Sequence, residues 1–570
     1  MSNRKLLSYE NAYVKQPPPY KKTDFRLQLW KNERKELRLK VRRENFHVAR
    51  GDNLTNAPVS VDTSKARSNS DVIRLCLREL GWNEKETASK KKSHIYWHSL
   101  SYEDNDNIPP AARVNKFPGM INCLRKIALS RTLDVMARLY PTSYDFHPQS
   151  WILPTQWSTW FEDFERKPSI YIVKPNDGTH GNGIYLLTDP RRYDVGGNRK
   201  HIVQEYLSKP LLLEGKKFDL RIYVVISNLE PLTVHVCREG LVRLCTEDYR
   251  SPNTSNLHKV HMHLTNYSLN KSSPSYVHTD DVNDGNKRTV TALLKTLRSC
   301  GYDVTMLWSN IVDVAAKTAI SIAPQLQVEL RAITAPRPQP FQILGFDLLV
   351  LNNLSVSLLE VNACPSLRID YDQSIAPGIT ETIHSAVDEE IKKPLVQETL
   401  KLVAPPHANV DCDDTILEEV LPLRADEYRC YCIIDRIVKI FTASLGVRAT
   451  LRMNHTAFRN FARRCKLTGI TGGVSSASID LLYLEVQRRS EHVEDSGKSG
   501  LCYQGFLDAF LSLAKIKYSS ADNLLESVLS LIGYCETQLN NHSLPPAYKP
   551  LLKKRTSSGN TFTKQLVDDH

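Results

Sequence analysis

The sequence predicts a mixed α/β (α+β) catalytic core followed by a mainly helical extension. Two observations carry this. Between residues 170 and 365 short β-rich runs recur: YIVK, GIYLL, HIVQEYL, LRIYVVI, LTVHVC, ILGFDLLVL and VSLLEV. They alternate with polar loops such as TDDVNDGNKR and with a helical stretch near 290–333. After about residue 400 the apolar spacing turns helical, in EYRCYCIIDRIVKIFTASLG, TAFRNFARRCKL, SIDLLYLEVQRR and GFLDAFLSLAKI.

From the N-terminus, residues 1–66 read as a basic, flexible arm. Its segment KKTDFRLQLWKNERKELRLKVRR mixes helical and alternating apolar periods. A compact region begins near Asp71, where Val72, Leu75, Leu77 and Leu80 share much of a helical face closed by Gly81. Residues 118–140 read as one amphipathic helix. The compact catalytic region runs to 400, a helical region with a basic cluster (Arg459, Arg463, Arg464, Lys466) follows over 401–540, and 541–570 is a basic tail.

The 570-residue chain is 41% hydrophobic and 24% charged, which is ordinary globular composition. Its formal charge of +12 favours an acidic partner: nucleic acid, an anionic membrane or an acidic protein tail. No recognised RNA or DNA module occurs, and no apolar run is long enough to predict a membrane helix. Twelve scattered cysteines without a C-x-x-C pair argue against a zinc module and a dense disulfide scaffold. With no apolar signal segment at the start, the expected compartment is the cytosol.

Three constellations carry chemistry. In YIVKPNDGTHGNGIYLL (171–187) a Gly-rich loop joins two strands, unlike a Walker A loop, which ends in Gly-Lys-Ser/Thr, or a dinucleotide fingerprint, which leads into a helix. Gly178, Gly181 and Gly183 would let backbone N–H groups approach phosphate oxygens, with Lys174 supplying charge; the other reading is a hairpin with a solvated lysine. In ILGFDLLVLNNLSVSLLEVNACPS (343–366) a two-residue turn at Asn352-Asn353 would set Asp347 opposite Leu358 and put Asp347, Glu360 and Asn362 on one sheet face. A three-residue loop would undo that parity. Such hard oxygen donors suit Mg²⁺; salt bridges to arginine are the alternative.

Between them, Gln204-Glu205-Tyr206-Leu207 ends a strand whose backbone could read an adenine edge. Lys217, Asp219 and Arg221 alternate along the next strand, either meeting ribose and phosphate or forming a self-satisfied row. REGLVRLC and HLTNYSLNK add Arg238, Arg243, Thr265, Asn266, Tyr267 and Ser268, arginine being suited to carboxylate capture.

The order KPNDGTHGNGIYLL, VQEYLSKPLLLEGKKFDLRIYV, REGLVRL, HLTNYSLNK, GFDLLV and LLEVNACPS resembles the tubulin tyrosine ligase-like family over roughly residues 115–395. NACPSLRIDYDQSIAPG and VDEEIKKPLVQETL are similar to its polyglutamylase branch. The resemblance implies an ATP-grasp ligase core with an N-terminal α/β domain. It implies ATP and Mg²⁺ as cofactors, and ligation of free L-glutamate onto acidic tubulin tails through an acyl phosphate. Glycylation, or microtubule binding without catalysis, are the other outcomes it leaves open.

The resemblance implies that Lys126 and Lys174 contact ATP phosphates, helped by Gly181 and Gly183. Gln204, Glu205, Tyr206 and Leu207 would hold adenine. Lys217 and Asp219 would reach the nucleotide, Arg221 would sit near the γ-phosphate, and Thr265 and Asn266 would close the site. Asp347, Glu360 and Asn362 would bind Mg²⁺, Glu360 and Arg221 being catalytic. Arg243, Tyr267, Ser268 and Lys287 would hold glutamate. The chain departs from the pattern at Thr179-His180, where that branch has Cys-Gln; the resemblance implies that His180 would face the acceptor peptide in place of the Gln. The expected state is a monomer in the cytoplasm on the cytoskeleton, at a cilium or basal body by analogy, without nucleic acid or membrane.

Overall fold

The computed structural model describes residues 58–86, 92–99, 108–178, 181–193, 200–333, 336–376, 379–408, 410–413, 415–445, 451–469, 473–491 and 500–540. Most of the arm and the basic tail lie outside them. The strand Ser60–Lys65 falls inside the segment read as an arm, so the folded region starts before residue 66.

That strand belongs to a five-stranded parallel sheet with Asn83–Lys85, Ile95–His98, Arg113–Val114 and Gln339–Pro340. The helix Ser70–Leu80 crosses over between the first two and ends at Gly81, whose φ of 65° suits a residue without Cβ. A four-stranded antiparallel sheet, Ser150–Leu153, His201–Glu205, Tyr171–Pro175 and Tyr185–Leu187, has its own aromatic core around Trp151, Trp160 and Tyr171.

The central sheet is antiparallel, in the order Lys287–Thr289, Leu232–Leu244, Lys216–Leu229, Gln342–Val350, Val356–Asn362. The long strand Lys216–Leu229 shows why the site forms here. Its even residues, Leu220, Ile222, Val224 and Ile226, enter the main core beside the 29-residue helix Val304–Ala332. Its odd residues are charged at first (Lys217, Asp219, Arg221), then apolar (Tyr223, Val225) where the helix Ala386–Val403 covers that face. One strand face therefore changes from a charged site to packed core within two residues.

The hairpin that carries the acidic residues differs from expectation in register. Val350 pairs with Val356 and Leu348 with Leu358, the longer-loop register that would have turned Glu360 to the opposite face. A bulge at Leu359 restores the parity: Asp347 stands directly opposite Glu360, and Gly345 opposite Asn362. The three side chains do share a face, by two compensating irregularities instead of a regular two-residue turn.

The helix read over 118–140 is two helices, Met120–Cys123 and Lys126–Leu139, broken at Arg125 with ψ 143°. The Asn176 side chain accepts the Ile127 N–H (3.2 Å), capping the second helix from the phosphate-type loop. Among the described residues the extension after 400 is mainly helical as expected, but Leu417–Leu421 is a strand that pairs with Leu232–Leu244. Four helices, Ile433–Ser444, His455–Arg464, Ser476–Glu491 and Tyr503–Lys517, form two helix–loop–helix units. A short antiparallel bridge joins their loops (Met453 N to Leu501 O 2.8 Å, Leu501 N to Met453 O 2.9 Å). Their apolar faces and the helix Leu524–Asn540 merge with the main core.

Candidate active site

A cavity open to solvent lies between the four-stranded sheet and the central sheet. It is lined by Lys174, Gln204, Glu205, Tyr206, Leu207, Lys217, Asp219, Thr265, Asn266, Asp347 and Glu360, so residues from six separate segments meet as expected. An adjoining recess adds Lys126 and His147 beside Lys174 and Glu360.

On the wall from the four-stranded sheet, Lys174 Nζ donates to Gln204 Oε1 (2.6 Å), and Gln204 Nε2 donates to Ser150 Oγ (2.9 Å). Burial pushes the Lys174 ammonium down to about 8, and Lys126 and Lys217 push the same way against the pull of Glu360. Lys126, at the first position of its helix, donates to the Gly178 carbonyl (2.9 Å) and lies 3.9 Å from Glu360 Oε2. Gly181 has φ 83°, and a Cβ there would come within 2.7 Å of Leu269, so the loop packs closely on the segment carrying Asn266. Gly183 is also left-handed, at φ 74°. Thr179 and His180 lie outside the described residues.

On the central sheet, Lys217 Nζ donates to Tyr206 OH (3.0 Å) and the His263 carbonyl (2.9 Å), and burial lowers its pKa. Asp219 accepts from Arg243 (2.8 and 2.6 Å) and Thr265 Oγ1 (2.7 Å). Asp347 accepts from Arg221 Nη2 and Arg243 Nη2, both at 3.0 Å, and Asn362 Nδ2 lies 3.4 Å from Asp347 and 3.3 Å from Glu360. Burial alone would raise the Asp347 carboxyl; the two guanidinium groups outweigh it and hold it well below the usual carboxylate range. Glu360 is raised, by burial first and then by the charge on Asp347. In this row Asp219 and Arg221 are charge-paired and Lys217 is held by neutral oxygens, while Lys217 and Asp219 line the cavity.

Arg243 and Lys287 are direct neighbours across the ladder. Lys287 Nζ sits 5.3 Å from the centre of the Tyr267 ring and bonds Asp388, which Lys392 Nζ also approaches at 2.7 Å. Tyr267 and Lys287 line a small pocket of their own with Tyr276, His278 and Tyr371, next to the main cavity rather than in it. Ser268 follows Tyr267 in the short helix Tyr267–Asn270. Sequence reasoning missed Asn176, His147, His263 and Asp388. Only Asn176 carried a signal, lying two residues after Lys174 in the loop already singled out.

Around the floor, five cations (Lys126, Lys174, Lys217, Arg221, Arg243) surround three carboxylates (Asp219, Asp347, Glu360). No cluster of three or more His, Cys, Asp or Glu suited to a metal occurs among the described residues. The pair Asp347–Glu360 with the Asn362 amide nevertheless fits Mg²⁺, which takes one or two carboxylates and completes its shell with water and phosphate. A cavity between two sheets, with paired carboxylates and Lys217 on one wall and Lys174 on the other, is the arrangement of an ATP-grasp-like enzyme.

The chain belongs to the tubulin-tyrosine ligase family, whose model matches residues 103–412. A second match, described as the EF-hand of tubulin polyglutamylase TTLL11, covers residues 418–550. The chain is 39% identical over 539 residues to tubulin polyglutamylase TTLL11 of Homo sapiens, covering 86% of this chain and 75% of that protein. It is 37% identical to the Mus musculus protein of the same name, over 85% and 77% of the two chains. It is 32% identical to tubulin polyglutamylase ttll-11 of Caenorhabditis elegans, over 88% and 76%.

Proposed function

We propose that this chain is a polyglutamylase that uses ATP and Mg²⁺ to add glutamate to glutamate side chains, or to existing glutamate chains, on acidic tubulin C-terminal tails. The observation that carries this is the direct opposition of Asp347 and Glu360 at the floor of a cavity walled by Lys174 and Lys217. The similarity to proteins named tubulin polyglutamylase supplies the acceptor and the incoming amino acid.

Asp347, Glu360 and Asn362 would hold Mg²⁺, which screens phosphate charge and polarises the transferred phosphoryl group. Lys126, Lys174 and Lys217 bind the phosphates, while Gln204 to Leu207 hold adenine and Thr265 and Asn266 close the site. Arg221 stabilises charge on the phosphoryl group as the acceptor carboxylate attacks the γ-phosphorus and ADP leaves. The amine of free glutamate then attacks the acyl phosphate. An amide forms, inorganic phosphate leaves with one acceptor oxygen, and the amine proton passes to solvent. Arg243, Lys287, Tyr267 and Ser268 orient the incoming glutamate, and His180 meets the acceptor peptide.

An acceptor peptide labelled with ¹⁸O in its glutamate carboxylates tests the chemistry. Label in the released phosphate is expected; unlabelled phosphate alongside normal ligation would rule out the acyl phosphate.

The arms and the helical region suit an acidic microtubule surface, and the protein acts as a monomer on the cytoskeleton in the cytoplasm, including cilia or basal bodies. Among the described residues no helix is long and apolar enough to cross a membrane. Arg459 is tied to Asp480 and Arg464 Nη1 donates to the Ala443 carbonyl (3.1 Å), which leaves the exposed Arg463 and Lys466 as the most available charges of that cluster. Reversing Arg463 and Arg464 to Glu should weaken microtubule co-sedimentation, most at low salt. Unchanged, salt-insensitive binding would remove this surface from the account.

A further inference from the structure

The match to an EF-hand implies calcium, and the donor set does not fit it. A calcium loop takes oxygen ligands at alternate positions and a bidentate Glu at its twelfth residue, in the first turn of the exiting helix. From Leu445 to Arg464, spanning the first loop and its exiting helix, the chain has five arginines and no Asp or Glu. No register of that loop can supply a carboxylate.

In the second unit the exiting helix begins YQGFLD, so its first turn is also without an acid. The first carboxylate there is Asp508. Counting it as twelfth would put Gly497, Ser499 and Leu501 at the first, third and fifth positions. Asp508 is engaged elsewhere: it accepts from Arg131 Nη2 at 2.7 Å and lies 3.6 Å from Arg138 Nη2.

Both arginines belong to the helix Lys126–Leu139, whose first residue lines the recess beside the main cavity. Arg131 is five residues along that helix from Lys126, about 7.5 Å. Thr132 Oγ1 and Gln504 Oε1 meet one residue further on, at 3.3 Å. At the other end Tyr140 packs edge-on against Tyr431, ring centres 4.9 Å apart, and its hydroxyl donates to the Cys430 carbonyl. The exiting helix Tyr503–Lys517 thus holds Arg131, Thr132 and Arg138, while the turn Arg429–Cys432 just before the module holds Tyr140 at the end of the helix. The N-terminus of the same helix is held by Asn176 and, through Lys126, by the Gly178 carbonyl.

We propose that the paired helix–loop–helix module is a calcium-independent brace that positions Lys126, with Asp508 clamping Arg131 and Arg138 as the positioning residue. The role of Lys126 as a phosphate ligand rests on the function proposed above; the brace itself rests on the packing.

The test uses the full-length protein and a fluorescent ATP analogue. Asp508→Ala should weaken analogue binding about tenfold, and Asp508→Glu should restore most of it. In a Lys126→Ala background, Asp508→Ala should cost less than about twofold more, because both changes remove the same interaction. Losses that multiply would overturn the positioning role. Amide exchange over residues 127–131 should accelerate in Asp508→Ala and return to normal in Asp508→Glu; unchanged exchange would overturn the brace. A wild-type protein that binds no analogue would sink the ligase reading and leave the exchange result to decide the brace alone. Calcium at about 1 mM should give no binding heat in the Glu360→Gln variant, where the cavity carboxylates are weakened. Saturable calcium binding there would overturn the calcium-independent claim.

Discussion

Replacing Lys174 by Met should stabilise the protein while destroying its nucleotide site. Lys174 is buried, and its pKa falls from 10.5 to about 8, so below pH 8 the folded state carries a desolvated ammonium. The difference corresponds to about 3 kcal/mol of lost stability at pH 7. Between pH 8 and 10.5 the unfolded chain binds the proton that the folded one has released, so wild-type stability rises with pH across that window and is flat below it. Met has no such dependence. The variant also loses the bond to Gln204, but that loss is the same at every pH. The stability gap between Lys174→Met and wild type, read from urea midpoints, should therefore move by about 2 kcal/mol in favour of wild type between pH 7 and 9.5. At pH 8 wild type should take up about half a proton on binding ATP, visible as a buffer-dependent heat, because the phosphates restore the charged form. A gap that does not change with pH would refute the desolvation argument.

Glu360→Gln should lower ligation by about a hundredfold or more while the fold persists, since the amide replaces a partly exposed carboxylate of the same size; near-normal turnover would remove Glu360 from the metal set. Arg243→Lys should destabilise by about 3 kcal/mol, because a lysine cannot bridge Asp219 and Asp347 as the guanidinium does. It should also raise the KM for glutamate, measured with saturating acceptor. A melting temperature within one degree of wild type would show that the two carboxylates do not need that bridge.

The central strands were legible because their apolar runs are long and bounded by turn residues. The shared face of Lys217, Asp219 and Arg221 followed from strand alternation, and Asp347 joins it directly opposite Arg221 once the sheet order is known. The register of the acidic hairpin was not legible: nothing in LVLNNLSVSLLEV distinguishes a regular two-residue turn from a longer loop plus a bulge at Leu359. The break at Arg125 was hidden for a related reason. The helical apolar period runs on through it, and what starts the second helix is a cap from Asn176, about fifty residues away. The hairpin Asp370–Ala376 with Ile379–His384 is polar enough to pass for loop, while the strand Leu417–Leu421 (LEEVL) spaces its apolar residues as a helix would. The helix–loop–helix pairing was masked by the loss of the acidic loop pattern that would have announced it.

Mass spectrometry of tubulin tail peptides tests the central claim most directly. Purified protein is incubated with microtubules, Mg-ATP and free glutamate, with glycine in a parallel reaction. The account predicts additions of glutamate mass, none of glycine mass, and no addition by the Glu360→Gln variant. Glycine addition, or no addition to either unmodified or pre-glutamylated tubulin, would contradict it.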